Sequence, residues 1–311
     1  MVFPLLIVIE LMQVSTLCPH AIRWISFHQS TIGFGSTIVS LLGLAEYCER
    51  HEIDLHFNHR GILSIYLDGD CDPWHTLFKP NGLCIRHGHD RKYGLRLDLP
   101  PSFPFFNYMT CCDDRTLFIS DKWAACFHAL MERHLSFQDD MRVVFGKDRG
   151  IIEGRRVLGT HLRGTDHSAH GKTLTLDQRL NQVAKHLDSG SFDSLFVMTD
   201  ERRYLDAALH RFGTRVCYLE DVERSESSAP LHHGRTAANG NKILTDMVRE
   251  AMVLANCHGQ LLSRSGVSAF VRCLNPRATF NLFEEDLTHH DLIGWKNGLV
   301  DQSRVECITL R

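Results

Sequence analysis

A histidine, an arginine and an aspartate lie close together in the segment His161-Leu162-Arg163-Gly164-Thr165-Asp166. The apolar residues before them predict a buried strand over 156–162, and ligands in α/β proteins bind at the carboxyl ends of such strands. The guanidinium of Arg163 is suited to paired hydrogen bonds with a phosphate, and Gly164 lets the backbone approach a ligand closely. We therefore predict an anion site here; a surface ion pair between Arg163 and Asp166 is the alternative.

Two further predicted strands of this region also end in polar residues. Asp200 follows the apolar run 195–198, where it either meets a ligand or caps the helix that begins near 201. Ser263, Arg264 and Ser265 follow the strand 260–262 and precede a helix. Backbone N–H groups at a helix start bind anions, and Arg264 would strengthen that site, whereas a simple serine cap is the alternative.

The glycines Gly33 and Gly35 lie between a predicted strand, 21–27, and a predicted helix, 37–50. This arrangement predicts a loop that holds a phosphate, although a glycine pair alone more often marks a tight turn. Polar or glycine-rich groups thus occur at four strand ends. Their joint occurrence is stronger evidence for a ligand site than any one of these motifs alone.

The elements that must position these residues alternate between strand and helix patterns, which predicts an α/β fold with a doubly wound parallel sheet. Before the polar stretch 146–150 we predict strands at 53–57 and 63–67 and a helix capped by Ser120. After it we predict strands at 156–162, 195–198, 215–219, 260–262 and 278–283, and helices at 176–188, 201–212, 241–257 and 266–275. We place a domain boundary at 146–150, so that 1–148 and 149–311 form two Rossmann-like halves facing a central cleft.

Composition excludes several classes of function. The 311 residues carry a net charge of −3 without a basic cluster, which argues against nucleic acid as a partner. Many of the eleven cysteines lie in apolar runs, which predicts reduced thiols and a cytoplasmic location. Cys84 and the histidines after it lack the doubled cysteine spacing of a zinc site, so we predict no metal. The apolar run at 1–13 is too short to span a bilayer, and peripheral membrane association stays open.

Four segments together resemble the fucosyltransferase superfamily that includes the protein O-fucosyltransferases, the core fucosyltransferase and the nodulation fucosyltransferase. They are WISFHQSTIGFGS at 24–36, HLRGTD at 161–166, FVMTDE at 196–201 and REAMVLANCHGQLLSRSGVSAF at 249–270. The resemblance implies a GT-B fold and GDP-fucose as the donor substrate, without a cofactor or metal. It also implies an inverting transfer to the hydroxyl of a glycan, glycoconjugate or protein acceptor.

The resemblance further implies roles for individual residues. Arg163 would neutralise the pyrophosphate of the donor, helped by the Gly33 and Gly35 loop and by Ser263 or Ser265. His161 and Asp200 would lie in the same donor site as Arg264. Glu250 stands where the family usually has an aspartate that binds guanine; the longer side chain is a departure from the pattern.

The general base is a second departure. The core-fucosylation branch has a glutamate a few residues after the arginine motif, but the segment 167–172 contains no acid. His170 or His167 would then accept the proton from the acceptor, and Asp166 would orient the imidazole.

Three functions stay open at this point: a fucosyltransferase or a relative using another GDP-sugar, a different α/β enzyme such as an oxidoreductase, and a non-catalytic nucleotide- or carbohydrate-binding relative. The dinucleotide fingerprint argues against the oxidoreductase, because Ile38 stands where its third glycine is required. The missing acid favours the non-catalytic relative, whereas Arg163, Asp200 and the serine loop favour the enzyme.

Overall fold

The computed structural model describes residues 24–29, 33–50, 52–57, 63–66, 72–79, 93–98, 118–164, 174–227, 231, 239–284 and 305–309. The strands are β1 (Trp24–Gln29), β2 (Asp54–Phe57), β3 (Tyr93–Asp98), β4 (Val157–His161), β5 (Ser194–Met198), β6 (Val216–Cys217), β7 (Gly259–Leu262), β8 (Thr279–Leu282) and β9 (Val305–Thr309). The helices are α1 (Phe34–Arg50), α2 (Pro73–Leu77), α3 (Asp121–His134), α4 (Asp139–Arg149), α5 (Leu176–Asp188), α6 (Arg202–Phe212), α7 (Gly240–Ala255) and α8 (Gly266–Leu274).

The strands form two sheets. The first has the order β2-β1-β3-β9, and the second has the order β6-β5-β4-β7-β8 with every pair parallel. In the first sheet β9 is antiparallel to β3, while β1 pairs in parallel with both β2 and β3. The predicted α/β fold and the parallel sheet of its second part are confirmed. The chain also returns to its first sheet at 305–309, within the part assigned above to the second half.

Helices cover both faces of the second sheet. Since successive side chains of a strand point to opposite faces, each strand contributes to the core on either side. On β5, Leu195 and Val197 pack with α5 and α6, whereas Phe196 and Met198 belong to the larger core that contains α7 and α8. Helices α1 and α3 belong to the same larger core and pack directly on α8. This continuous apolar layer connects the two sheets.

Helix starts follow the cap signals of the sequence. The side chain of Ser120 accepts a hydrogen bond from the backbone of Trp123, as predicted for α3. Thr175 and Gln178 form a reciprocal capping box at α5, whose bounds coincide with the predicted 176–188. Strong caps and a strong apolar period therefore fix this part of the fold locally.

At three places the local structure differs from what the sequence pattern indicates. The predicted strand 63–67 is a 3-10 turn at Ser64–Tyr66, because burying Leu63 and Tyr66 together requires i,i+3 spacing rather than alternation. The stretch 146–150 is not a loop: α4 continues to Arg149 and a 3-10 turn follows directly. The strand predicted at 215–219 is limited to Val216–Cys217. The domain boundary itself stays a prediction.

A glycine contact brings α1 and α8 together at their amino-terminal ends. A Cβ atom placed on Gly35 would lie 2.5 Å from the carbonyl carbon of Gly266 and 2.5 Å from the backbone nitrogen of Val267. A Cβ on Gly266 would lie 2.6 Å from the backbone nitrogen of Ser36. The two backbones can approach this closely only because both positions lack a side chain.

Candidate functional site

The second sheet changes direction of winding between β4 and β7. From β4 the chain proceeds to β5 and β6 on one side, then crosses to β7 on the other side. His161 pairs with Met198 of β5 and with Leu262 of β7, so the loops after these three residues begin at the same level of the sheet. Crevices at such switch points bind ligands in open α/β sheets. The predicted site loops of this half therefore lie side by side.

His161 is held at the start of α8 by serine hydroxyls. Its Nδ1 atom forms a hydrogen bond with Ser268 Oγ at 2.8 Å and lies 3.4 Å from Ser265 Oγ. Ser265 is the N-cap of α8 and accepts a hydrogen bond from the backbone of Ser268. The serine cap considered from the sequence is therefore present, and it also fixes the imidazole of His161.

Ser263 connects three elements beneath this crevice. Its hydroxyl donates to the carbonyl of His161 at 2.9 Å and accepts from Arg179 Nη1 at 2.6 Å. Both Ser263 and Arg179 are buried, and Arg179 also lies over the ring of Phe283. These contacts indicate that Ser263 positions the strand ends, while its predicted contact with the donor stays a prediction.

Arg163 is half-buried on the loop after β4, and the residues after β5 support that loop. Asp200 was predicted to cap α6, but the N-cap is Glu201, which makes no side-chain cap bond. Asp200 Oδ1 instead accepts from the backbone N–H of Gly164 at 3.4 Å. This pairing was not predictable locally, because the two residues lie on different strand ends.

Glu250 is buried on α7 and pairs with Arg224. Arg224 Nη2 donates to Glu250 Oε1 at 2.5 Å, and Arg224 Nη1 donates to the carbonyls of Leu219 and Val222. Burial raises the pKa of the Glu250 carboxyl to about 8, against the opposing effect of Arg224; Asp246 and Asp200 raise it further. Glu250 thus holds the loop after β6 through Arg224, and its predicted contact with a nucleobase stays a prediction.

The two predicted loop glycines differ in their surroundings. Gly35 packs against the backbone of Gly266, whereas among the described residues a Cβ on Gly33 would meet only Tyr66 Oη, at 3.8 Å. The same Tyr66 hydroxyl accepts from the backbone N–H of Phe34 at 3.1 Å. Close packing of α1 on α8 therefore explains Gly35, and it brings the start of α1 to the serine cap of α8.

The remaining predicted residues are placed as follows. Arg264 Nη1 donates to the carbonyl of Phe283 at 3.2 Å, which directs part of its guanidinium toward the end of β8. Asp166, His167 and His170 lie outside the described residues, as does the cysteine and histidine segment that begins at Cys84.

Sequence reasoning missed three buried charged residues of this region: Arg179, Glu201 and Arg224. Charged side chains are rarely fully buried without a partner, but their burial here depends on contacts between distant segments. The only local signal is an arginine at the apolar period of α5, next to Leu180 and Val183.

Within the described ranges, no group of three or more histidine, cysteine, aspartate or glutamate side chains is arranged to hold a metal ion. None of the helices described above combines the length and apolarity needed to cross a bilayer.

No protein-family model matches the chain, and no curated protein sequence matches it. Among solved structures, NodZ α-1,6-fucosyltransferase soaked with GDP-fucose is 15% identical with a TM-score of 0.54, over 93% of this chain and 100% of that one. The chain shares the GT-B fold of NodZ. NodZ co-crystallised with GDP and the selenomethionine form of NodZ from Bradyrhizobium are each 16% identical, with TM-scores of 0.51, over 84% of this chain and 95% of theirs. At this identity the likeness establishes the fold predicted from the motifs.

Proposed function

We propose that the protein transfers fucose from GDP-fucose to a hydroxyl group of a glycan or protein acceptor. The observation that carries the proposal is the switch-point crevice, where the Arg163 loop and the serine cap of α8 lie on adjacent strand ends. The fold shared with NodZ, whose structures contain GDP-fucose or GDP, supports a GDP-sugar in that crevice.

The proposed reaction is an inverting displacement at the anomeric carbon of fucose. The acceptor oxygen attacks as the bond to the diphosphate breaks, so negative charge develops on the leaving GDP. In the proposal, Arg163 and the positive end of the α8 dipole stabilise that charge. A fixed guanidinium supplies this stabilisation without a metal ion, and the proposal therefore includes metal-independent transfer.

Proton removal from the acceptor is assigned to the segment after Arg163. We propose His170 or His167 as the general base and Asp166 as the group that orients it, because the segment contains no glutamate or aspartate beyond Asp166. An imidazole has a pKa close to neutral pH and is suited to that task.

The proposed location is a reducing compartment such as the cytoplasm. Cys48, Cys217, Cys257 and Cys273 are buried free thiols, and Cys126 is half-buried and also free. Cysteines in these positions act as small apolar side chains of the core.

The experiment is calorimetric titration of the protein with GDP, UDP and ADP in the presence of a chelator. The wild type is compared with Arg163→Ala and with Arg156→Ala. Arg156 is a matched control because it is an exposed arginine at the opposite end of β4, paired with Asp193 at 3.0 Å.

The proposal predicts selective GDP binding that Arg163→Ala weakens by roughly a hundredfold, the loss of two charge-assisted hydrogen bonds, while Arg156→Ala binds normally. Equal affinity for the three nucleotides would contradict the proposal. If GDP binds selectively but GDP-fucose is neither transferred nor hydrolysed, the non-catalytic alternative replaces the enzyme.

A further inference from the structure

Three consecutive residues after β5 contact the two residues after β4 that flank Arg163. Thr199 Oγ1 donates to the carbonyl of Leu162 at 2.7 Å, and Asp200 Oδ1 accepts from the N–H of Gly164. Glu201 completes the set, because its side chain lies against the Cα atom of Gly164. Arg163 stands between the first two of these contacts.

The position of Glu201 is unusual for a carboxylate. The residue is fully buried, and its Oε1 atom has no hydrogen-bond partner in the structure as described. Its Oε2 atom pairs with Arg203, whose own side chain is 63% exposed. A buried carboxylate oxygen without a partner is unfavourable, so its retention at this point requires an explanation.

The volume of the Glu201 side chain explains why it lies at this position. A Cβ atom on Gly164 would lie 2.5 Å from Glu201 Cδ and 3.0 Å from Glu201 Cγ, so the glutamate side chain fills the volume beside the glycine. The Arg163 loop therefore cannot move toward α6, and the two hydrogen bonds from Thr199 and Asp200 keep it from moving away. Groups that bind a ligand are most effective when their neighbours fix them in this way.

We propose that Glu201 is a positioning residue for Arg163, acting through the side-chain contact with Gly164. The inference rests on the proposed function, since it assigns Arg163 to the diphosphate of the donor. It differs from the prediction that Asp200 itself meets the ligand, because it concerns a neighbour that acts on the Arg163 loop. In the proposal the glutamate acts by its volume, and its charge is neutralised by Arg203 from the solvent side.

The first test does not use a nucleotide. Trypsin cleaves after arginine, so the rate of cleavage of the Arg163–Gly164 bond in the native protein measures how firmly the loop is held. We expect Glu201→Ala to increase that rate at least several-fold and Glu201→Gln, which keeps the side-chain volume, to leave it unchanged. Cleavage after Arg156 is the internal control. Unchanged cleavage at Arg163 in a folded Glu201→Ala protein would overturn the proposal.

The second test is a pair of double variants assayed by GDP titration. Gly164→Ala should weaken GDP binding at least tenfold, because its methyl group overlaps Glu201. Adding Glu201→Ala removes the Cγ and Cδ atoms that the methyl group meets and should restore much of the affinity, whereas adding Glu201→Gln should not. Equal affinities of the two double variants would refute the proposed contact.

The two tests separate the inference from the function on which it rests. If the wild type does not bind GDP but Glu201→Ala still loosens the Arg163 bond, the proposed donor is wrong and the positioning contact stands. If Glu201→Ala does not fold, Glu201→Asp shortens the same side chain while keeping its charge, and normal cleavage at Arg163 in that variant would contradict the positioning contact.

Discussion

Replacing Gly35 by alanine should destabilise the protein far more than its small size suggests. The new methyl group would lie 2.5 Å from three backbone atoms: the carbonyl carbon and oxygen of Gly266 and the nitrogen of Val267. Backbone atoms cannot rotate away as a side chain does, so the starts of α1 and α8 must separate. Overpacking in a well-ordered core costs about 1–3 kcal/mol, and we expect Gly35→Ala to reach about 3 kcal/mol because the obstacle is main chain.

The assay is urea denaturation followed by circular dichroism, with two matched glycine variants. Gly33→Ala meets only Tyr66 Oη at 3.8 Å, so it should change the free energy of unfolding by less than about 1 kcal/mol. Gly146 lies exposed inside α4 with nothing within 4 Å of a Cβ, and Gly146→Ala should stabilise by about 0.5–1 kcal/mol. A Gly35→Ala protein as stable as Gly33→Ala would refute the packing argument and return Gly35 to the phosphate loop predicted from the sequence.

Two further predictions concern buried groups. Arg224→Met leaves the carboxyl of Glu250 buried without its partner and should destabilise by about 3–5 kcal/mol, whereas Arg224→Met with Glu250→Leu should recover a large part of that loss; urea denaturation of both variants checks this, and equal stabilities would contradict it. Burial raises the pKa of the Cys217 thiol to about 11 and also raises the pKa values of Cys48 and Cys257. Iodoacetamide at pH 8 should therefore label these three thiols only after unfolding. Peptide mapping by mass spectrometry measures the labelling, and modification of any of the three in the folded protein would contradict the prediction.

Much of the second sheet could be predicted because its signals are local. The period of α5 and its capping box lie within one stretch of sequence, and the predicted bounds coincide with Leu176–Asp188. The 3-10 turn at 64–66 could not be distinguished from a strand, because a short apolar run fits both the helical and the strand period. The contact of the Tyr66 hydroxyl with the backbone N–H of Phe34, 32 positions away, is not visible in that short run.

The partners of the site residues were less accessible to sequence reasoning. Asp200 has the residue type and position of a helix cap, yet it accepts a hydrogen bond from Gly164, which lies 36 positions away. Arg224 and Glu250 are 26 positions apart and meet only after β6 and α7 are in place. A cap signal in the sequence indicates that a side chain can bond to the backbone a few residues away. The order of strands in the sheet determines which distant loop lies beside that side chain.

This distinction changes how the motifs at the strand ends are interpreted. A segment such as Thr199-Asp200-Glu201 attracts attention because polar residues follow an apolar strand, a pattern typical of ligand contacts. Here its three side chains contact Leu162 and Gly164, the residues on either side of Arg163. Contacts of this kind between strand-end loops can fix the position of an arginine. Substitutions at 199–201 that remove these contacts should therefore weaken nucleotide binding through the Arg163 loop, with a parallel increase in the mobility of that loop.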